Sequence, residues 1–403
     1  MALERWMEAV DDRGGPCRRR KDAESKEKKE VSPLQLDCEK ACGTEKSSSQ
    51  FSWAMQQTGK SRRERYLIKM KKGLKVAVVG ATGMVGQVMR KVLHERHFQV
   101  DRFIPVASEK SQGRSISWGK DMQEVVSLEH ALEQKPDIAL FSAGGSVSKQ
   151  WAPRFAEKGC FVIDNSSAWR MDAQVPLIVP EVNGHVLKPH DRIIANPNCS
   201  TIQLMMVLKP LSDRYGLERV LVSTYQSVTG TGQKAARQLE EEREGNGSGE
   251  RVYPHAIDLN IIPHCDVFVD SNYTREEMKL LLESRKILAL PELRLSATAV
   301  RIPVRGGHSE SVNVELKEQP RIPEVRELLA AFPGLIVQDE PEKNIYPMPA
   351  FAEGRDEVFV GRIRQDLSHP RALNLFVVAD NLRKGAATNA VQIAEMVRMM
   401  HFS

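Results

Sequence analysis

Three evenly spaced glycines constrain this chain more than any other feature. Gly80, Gly83 and Gly86 follow the apolar run Leu74–Val79 and open the helical stretch Met84–Glu95. In the phosphate loop of a dinucleotide-binding domain, the first glycine permits a tight turn, the second lets the backbone approach a pyrophosphate, and the third allows close helix–strand packing. The helix N-terminus then directs N–H groups at the phosphates. The pattern predicts a dinucleotide site, with a plain strand-to-helix turn as the alternative.

Further apolar segments predict an α/β domain around this loop. Phe103–Ala107, Asp137–Ser142 and Cys160–Asp164 have the composition of strands and are separated by helical lengths. Strands joined in this way form right-handed crossovers and a parallel sheet. We therefore expect a Rossmann-type, doubly wound parallel sheet.

The chain after Cys199 has a different pattern. The β-rich segments are longer, and two helical stretches lie among them. This pattern predicts a second domain of the mixed α+β class. The strand segments are Arg219–Ser227, Ala297–Val304 and Ser311–Leu316, and the helical stretches are Glu276–Arg285 and Val325–Ala331.

These changes in pattern predict the domain boundaries. We expect residues 1–72 to be a disordered extension, because charged and serine-rich runs leave too few apolar side chains to fold. Residues 73–198 form the first predicted domain, and residues 199–381 form the second. Residues 382–403 contain the apolar helical run Ala390–Met399 and are expected to pack back on the first domain and complete it.

Charge and cysteine content exclude several classes of protein. Residues 1–69 contain 16 Lys and Arg against 12 Asp and Glu, whereas the rest of the chain contains 42 against 41. A body so near neutrality offers no basic face for nucleic acid. No apolar run approaches the roughly 18 residues of a membrane span. Six scattered cysteines without a CxxC pair indicate free thiols in a reducing compartment rather than a metal site, so we expect a cytoplasmic protein.

The end of the second predicted strand indicates which dinucleotide binds. NAD enzymes usually carry an acidic residue there, which holds the ribose hydroxyls. Here Ser108, Lys110 and Ser111 could hold a 2′-phosphate, which favours NADP, although Glu109 lies among them. A solvated polar turn is the alternative interpretation.

One cysteine has the sequence context of a nucleophile. Cys199 follows Asn196-Pro197-Asn198 and precedes the apolar helical run Ile202–Leu211, which puts it at a helix N-terminus. There the helix dipole is expected to lower the pKa of the thiol. Such a thiolate could attack a carbonyl carbon, although a small buried residue is the usual role of an isolated cysteine.

Three residues further along the chain favour catalysis. Gln226 lies where a predicted strand runs into a glycine-rich loop, and Arg301 precedes His308 by seven residues. These side chains supply an amide that can orient an acyl group, a guanidinium that binds anions, and an imidazole that moves protons near neutral pH.

From about residue 74 to its end, the chain resembles the aspartate-semialdehyde dehydrogenase family. Four motifs occur in the family's order: GATGMVG at 80–86, NPNCST at 196–201, QSVTGTG at 226–232 and RIPVRGGHSE at 301–310. The resemblance implies reduction of L-aspartyl 4-phosphate with NADPH to L-aspartate 4-semialdehyde and phosphate, in the biosynthesis of lysine, threonine and methionine. It also implies a homodimer or homotetramer built through a second, catalytic domain.

The resemblance assigns roles to the site residues. Cys199 would form the thioester, His308 would be the general acid and base, and Gln226 would orient the substrate. Arg301 matches the arginine that pairs with the substrate α-carboxylate, and Glu276 the acid that meets the ammonium group. Glu277 leaves this last assignment uncertain by one position, and a surface pair of Glu276 and Lys279 is the alternative. The residues matching those expected around the phosphate are Arg170, Asn198 and Lys279.

Cofactor residues carry over in the same way. The matching positions are Gly80, Thr82, Gly83, Met84, Val85, Gly86, Ser108, Lys110, Ser111, Thr229, Gly230 and Asn381. Ala299 departs from the family pattern, because many relatives have a cysteine there.

Two alternative functions stay open at this point. One is the related enzyme N-acetyl-glutamyl-phosphate reductase, and the other is a catalytically inactive dinucleotide-binding paralogue.

Overall fold

The computed structural model describes residues 73–246 and 251–402. The extension predicted over residues 1–72 lies outside the described residues. The strands are β1 (Leu74–Val79), β2 (Val100–Val106), β3 (Ser115–Trp118), β4 (Asp121–Glu124), β5 (Ile138–Phe141), β6 (Phe161–Asp164), β7 (Ile193–Ala195), β8 (Leu217–Gln226), β9 (Arg294–Arg301), β10 (His308–Leu316), β11 (Leu335–Val337), β12 (Val358–Gln365) and β13 (Ala372–Ala379). The helices are α1 (Met84–Glu95), α2 (Leu128–Glu133), α3 (Gly145–Glu157), α4 (Pro180–Asn183), α5 (Cys199–Tyr215), α6 (Gln233–Arg243), α7 (Arg275–Leu288), α8 (Ile322–Ala331), α9 (Pro349–Ala352) and α10 (Thr388–His401).

The first sheet is the parallel sheet that the sequence predicts. Its five strands run in the order β2-β1-β5-β6-β7, and every neighbouring pair is parallel. The prediction for β2 began three residues late, at Phe103. The first three residues of this strand lie at or near the surface and lack an apolar pattern. The Rossmann-type fold class is confirmed.

The second sheet has six strands of mixed direction, as an α+β domain requires. Its order is β11-β12-β13-β10-β8-β9, with β8 and β9 parallel and β10 antiparallel to both β8 and β13. The predicted strand Ala297–Val304 is displaced, because β9 covers Arg294–Arg301. Pro303 carries no N–H for a sheet ladder, so the apolar residues around it lie beyond the strand.

Two helices pack on these sheets and form apolar cores with them. α5 packs on the second sheet, with Met205 and Leu208 in the same apolar cluster as Val312 and Val314. α10 returns to the first sheet, where its apolar face shares a core with β1. Within the two described ranges, no helix has the length and apolar character needed to cross a membrane.

This topology brings several strand ends to one edge. The carboxyl ends of β1, β6 and β7 lie together because these strands are parallel members of one sheet. They lead into Gly80, Asn165 and Asn196. In open α/β sheets this edge is where ligands bind.

Candidate active site

The glycine turn after β1 has the geometry of a phosphate loop. Gly80 has a φ of +90°, and a Cβ atom there would lie 2.2 Å from the carbonyl oxygen of Ser142. A Cβ atom at Gly86 would lie 2.1 Å from the oxygen of Gly80, so both positions require glycine. Gly83 precedes α1 and has no side chain to cap it, which leaves N–H groups of the first helical turn for an anion.

The residues predicted to select NADP over NAD lie beside a cavity at the first sheet. Ser108 and Lys110 are exposed on the turn after β2 and line a cavity of about 620 Å³, together with Glu109. Ser111 ends the same turn. This cavity lies beyond the carboxyl end of β2, next to β1, where the adenosine half of a dinucleotide is expected.

Cys199 begins α5 as the sequence predicts, and Asn198 is the residue that caps the helix. The Asn198 side chain caps the helix, since its Oδ1 accepts hydrogen bonds from the N–H groups of Ser200 (3.0 Å) and Thr201 (3.2 Å). Cys199 is the first helical residue and is partly exposed. It lines a cavity of about 380 Å³ between the two sheets. The other described cysteines, Cys160 and Cys265, are buried free thiols.

The expected lowering of the thiol pKa is wrong for this structure. Burial, and then the negative charge of Glu276, raise the pKa of Cys199 to about 12. The cations Arg170, Arg301 and Lys279 oppose this shift but do not outweigh it. The sequence showed the helix terminus, but it could not show how closely the protein and a carboxylate surround the sulfur.

The two adjacent glutamates have different surroundings. Glu277 forms a capping box with Thr274 and accepts a hydrogen bond from the N–H of Ala299 at 2.9 Å, so its carboxylate is used within the fold. Glu276 lines the Cys199 cavity and pairs with Lys279 at 2.9 Å. Since both partners of this pair line the cavity and Glu276 is buried, the surface-pair alternative is wrong.

Glu276 is the centre of a polar network. Its Oε1 accepts hydrogen bonds from Nδ2 of Asn198 (2.8 Å) and Nε2 of Gln226 (3.2 Å). Burial alone would raise its pKa, but the Lys279 ammonium and these hydrogen bonds lower the pKa of Glu276 to about 2. Lys279 also contacts Asp266 at 2.8 Å. The carboxylate is therefore ionised at neutral pH.

The arginines of the cavity differ in their partners. Arg170 forms an ion pair with Glu283 at 3.0 Å, whereas no described carboxylate lies within 4 Å of Arg301. Nη1 of Arg301 donates to the carbonyl oxygen of Ser227 at 2.6 Å, and its buried Nε has no described partner. Of the three cations that line the cavity, Arg301 is thus the one best able to take an additional anion.

His308 lies behind the cavity wall rather than on it. The residue is fully buried, and a Cβ atom on Gly230 would lie 3.0 Å from its Nε2. Its Nδ1 accepts a hydrogen bond from the N–H of Ser227 at 3.1 Å, while Nε2 has no partner among the described residues. Burial, followed by the charge of Arg301, lowers the pKa of His308 to about 3, so the ring is neutral.

The second-domain residues that the sequence predicts for the cofactor lie at the same cavity as the start of α1. Thr229, Gly230 and Asn381 line it together with Val85 of α1. Nδ2 of Asn381 donates to Oγ1 of Thr229 at 3.1 Å. Met84 lines a neighbouring cleft, and Thr82 lies in the turn before α1. The predicted residues from both halves of the chain therefore converge.

Sequence analysis missed two residues of this site. Gly385 lies in a π-helical turn, Arg383–Ala387, and a Cβ atom there would lie 3.0 Å from Cβ of Cys199. Glu283 holds both Arg170 and the N–H of Asn198. The spacing of Glu276, Lys279 and Glu283 on one face of α7 was the available signal for the second residue.

The chain is similar to known proteins over both of its sheets. Residues 75–190 match the family described as Semialdehyde dehydrogenase, NAD binding domain, and residues 208–384 match the family described as Semialdehyde dehydrogenase, dimerisation domain. The chain is 53% identical to the aspartate-semialdehyde dehydrogenase of Aquifex aeolicus over 333 residues, which cover 81% of this chain and 98% of that protein. This chain belongs to the aspartate-semialdehyde dehydrogenase family.

Other aspartate-semialdehyde dehydrogenases are similar over the same region. The Bacillus subtilis enzyme is 45% identical, with 82% of this chain and 99% of that protein covered. The crystal structure of aspartate semialdehyde dehydrogenase II of Vibrio cholerae complexed with ASA superimposes with a TM-score of 0.79 at 42% identity. The match covers 82% of this chain and 100% of the Vibrio cholerae chain. The alternative of N-acetyl-glutamyl-phosphate reductase is set aside by this membership.

Membership of the aspartate-semialdehyde dehydrogenase family defines the reaction. The chain is an oxidoreductase of amino-acid biosynthesis that converts L-aspartyl 4-phosphate to L-aspartate 4-semialdehyde. Its first domain binds a nicotinamide dinucleotide. The alternative of an inactive paralogue is set aside, and Cys199, Arg301 and His308 are all present in the described structure.

The charge of Glu276 near Cys199 predicts how the pKa of the thiol responds to a substitution. We expect Glu276→Gln to lower the pKa of Cys199, because loss of a nearby negative charge stabilises the thiolate. Each unit of decrease raises the thiolate fraction about 10-fold at pH 8. The rate of Cys199 alkylation by iodoacetamide, followed by mass spectrometry of the proteolytic peptide that contains Cys199, should rise accordingly. Glu277→Gln on the same helix is the control, and an unchanged rate in Glu276→Gln would contradict the expectation.

Proposed function

We propose that the enzyme reduces its substrate through a thioester on Cys199. The sulfur attacks the acyl carbon, the bond from that carbon to the phosphate oxygen breaks, and phosphate leaves. A bound nicotinamide dinucleotide supplies the hydride that reduces the thioester. The resulting oxyanion takes up a proton to give a thiohemiacetal, which loses that proton again as the carbon–sulfur bond breaks, so that the aldehyde leaves and the Cys199 thiolate is restored. The position of Cys199, at the start of α5 on the wall of a cavity with three cations, carries this proposal.

The cavity provides groups for both ends of the substrate. Arg301 is proposed to pair with the α-carboxylate, because it has no carboxylate partner of its own and a guanidinium binds carboxylates with two hydrogen bonds. Glu276 is proposed to meet the α-ammonium group, which its ionised state supports. Lys279, Arg170 and Asn198 also line the cavity and are proposed to bind the phosphate group.

Gln226 and His308 are proposed to orient the acyl group and to handle protons. Because Nδ1 of His308 accepts the N–H of Ser227, the neutral ring carries its proton on Nε2. In this arrangement His308 donates a hydrogen bond toward an oxyanion. Acceptance of the Cys199 proton requires the Ser227 hydrogen bond to be released, and Gly230 to move aside from Nε2.

NADP is the proposed form of the dinucleotide. The glycine turn Gly80–Gly86 and the uncapped start of α1 fit a pyrophosphate. Thr229, Gly230 and Asn381 are proposed to hold the nicotinamide end, beside Cys199. Ser108, Lys110 and Ser111 are proposed to bind the 2′-phosphate, and the adjacent cavity of about 620 Å³ supports this.

Cofactor selectivity supplies a prediction. We expect Lys110→Ala to raise the KM for NADP roughly 10-fold and to leave the KM for NAD unchanged, since the substitution removes a cation from the 2′-phosphate alone. Steady-state kinetics with each cofactor measure this. Lys120→Ala changes another exposed lysine of the first domain and is the control. Equal effects of Lys110→Ala on both cofactors would contradict the role of Lys110.

Assembly, location and domain division are further parts of the proposal. The match of residues 208–384 to a dimerisation domain supports a homodimer or homotetramer built through the second sheet. A cleft of about 610 Å³ on its face away from α5, lined by Tyr225 and Phe376, also supports this. A thiol nucleophile and three described free cysteines support a cytoplasmic location. The division after residue 198 is supported by α5, which starts there and packs on the second sheet.

The decisive experiment is an assay of the purified protein in the oxidative direction. L-aspartate 4-semialdehyde, phosphate and NADP should give phosphate-dependent formation of NADPH, and NAD should be a poorer substrate. N-acetyl-L-glutamate 5-semialdehyde is the comparison substrate, because its acylated amine cannot pair with Glu276 as an ammonium group does. Turnover of that compound in preference to aspartate semialdehyde would contradict the proposal.

A further inference from the structure

Glu283 is a buried carboxylate at the site that the proposed chemistry does not use. It lies on α7, one helical turn after Lys279, and is 1% exposed. Its Oε1 lies 3.0 Å from Nη1 of Arg170, and its Oε2 accepts the backbone N–H of Asn198 at 2.7 Å. One carboxylate thus joins the loop after β6, the loop after β7 and helix α7.

Arg170 is held in one orientation by this contact. Its Nε donates to the carbonyl oxygen of Asn196 (2.9 Å), and its Nη2 donates to that of Asn165 (3.0 Å). A guanidinium has five N–H donors in a rigid plane. Three are used by the protein, so one N–H on each of Nη1 and Nη2 is left, and Arg170 lines the Cys199 cavity. N–H donors on a planar guanidinium suit the oxygens of a phosphate group.

Asn198 is held in the same way. Its backbone N–H is bound by Glu283, its Oδ1 caps α5, and its Nδ2 donates to Glu276. The residue has little freedom to move, and it is joined directly to Cys199. The orientation of the Asn198–Cys199 peptide, and with it the start of α5, therefore depends on the Glu283 carboxylate.

We propose that Glu283 is a positioning residue that aims the free N–H groups of Arg170 and the Asn198–Cys199 peptide at the phosphate group of the substrate. The inference rests on the proposed function, because it assumes the thioester on Cys199 and phosphate binding by Arg170. A buried ion pair contributes little to the free energy of unfolding, because the cost of desolvating both charges offsets their attraction. Removal of one partner is destabilising, because the other charge then stays buried without a partner. The role that we assign to the Glu283 carboxylate is to fix the orientations of Arg170 and Asn198.

Glu283→Gln is the direct test. The amide is nearly the same size, but its NH₂ group must face either Nη1 of Arg170 or the N–H of Asn198, and both are donors. We expect the KM for phosphate in the oxidative assay to rise about 10-fold and kcat to fall several-fold. The KM values for NADP and for aspartate semialdehyde should change by less than about twofold, because Glu283 contacts none of the groups proposed to bind them.

Glu277→Gln is the matched control. Glu277 lies on the same helix, is also buried, and accepts backbone N–H groups of Thr274 and Ala299. This variant should lose thermal stability, as Glu283→Gln should, but keep the wild-type KM for phosphate. A purely structural role for Glu283 would give both variants the same kinetic profile, which overturns the inference.

A second variant guards against a failure to fold. Glu283→Asp keeps the charge but shortens the side chain by one methylene, so the carboxylate cannot reach Arg170 and Asn198 together. We expect a rise in the KM for phosphate that is smaller than the rise in Glu283→Gln. A wild-type KM for phosphate in either folded variant overturns the inference. Failure of the proposed function is distinguishable, because the wild-type protein itself would then lack phosphate-dependent activity.

Discussion

Cys199→Ala is expected to abolish turnover of aspartate semialdehyde with phosphate, with a loss of kcat of about 10⁴-fold or more. Without the sulfur no thioester forms, and no other described cysteine lines the cavity. Binding of NADP, measured by quenching of protein fluorescence, should be unchanged, because the proposed cofactor contacts do not include the sulfur. This split between binding and turnover is the signature of a covalent nucleophile.

A second cysteine provides the control for this result. Cys160 is 1% exposed and packs in the core of the first sheet, and burial raises the pKa of its thiol well above the usual value. Cys160→Ala should therefore lose some stability and keep the wild-type kcat. Retention of phosphate-dependent turnover by Cys199→Ala would refute the thioester route.

Arg301→Lys is expected to lower kcat/KM for aspartate semialdehyde by about 30-fold, mainly through KM. Loss of one charge-assisted hydrogen bond costs about 2 kcal/mol, and a lysine ammonium cannot reproduce the two parallel hydrogen bonds of a guanidinium. The KM for phosphate should change little, because phosphate is proposed to bind at Arg170 and Lys279. Steady-state kinetics with each substrate varied in turn measure these effects.

Arg294→Lys is the control for Arg301→Lys. Arg294 begins the same strand, β9, and is exposed, with Glu218 as its ionic partner. Its replacement should leave all kinetic constants near wild type, because exposed ion pairs contribute little. A kcat/KM for aspartate semialdehyde that is the same in Arg301→Lys as in the wild type would exclude Arg301 as the carboxylate anchor.

Local patterns in the sequence were sufficient for much of the fold and for the position of Cys199 at a helix start. The β-branched run Leu74–Val79, the glycine spacing and the helix Met84–Glu95 are short-range features, and the structure contains them with those bounds. The same holds for Cys199, because an asparagine before an apolar helical run is a capping signal. Strand ends were less accurate where exposed residues or Pro303 changed the pattern.

The sequence by itself determined the α/β and α+β classes of the two sheets, the glycine turn before α1 and the place of Cys199 at the start of α5, since each is encoded by neighbouring residues. Only the tertiary structure decided that Glu276 rather than Glu277 lines the cavity and that Glu283 holds Arg170 and Asn198. It also decided that burial and Glu276 raise the pKa of Cys199. These properties depend on distances between residues far apart in the chain, and both charge interaction and desolvation are set by those distances.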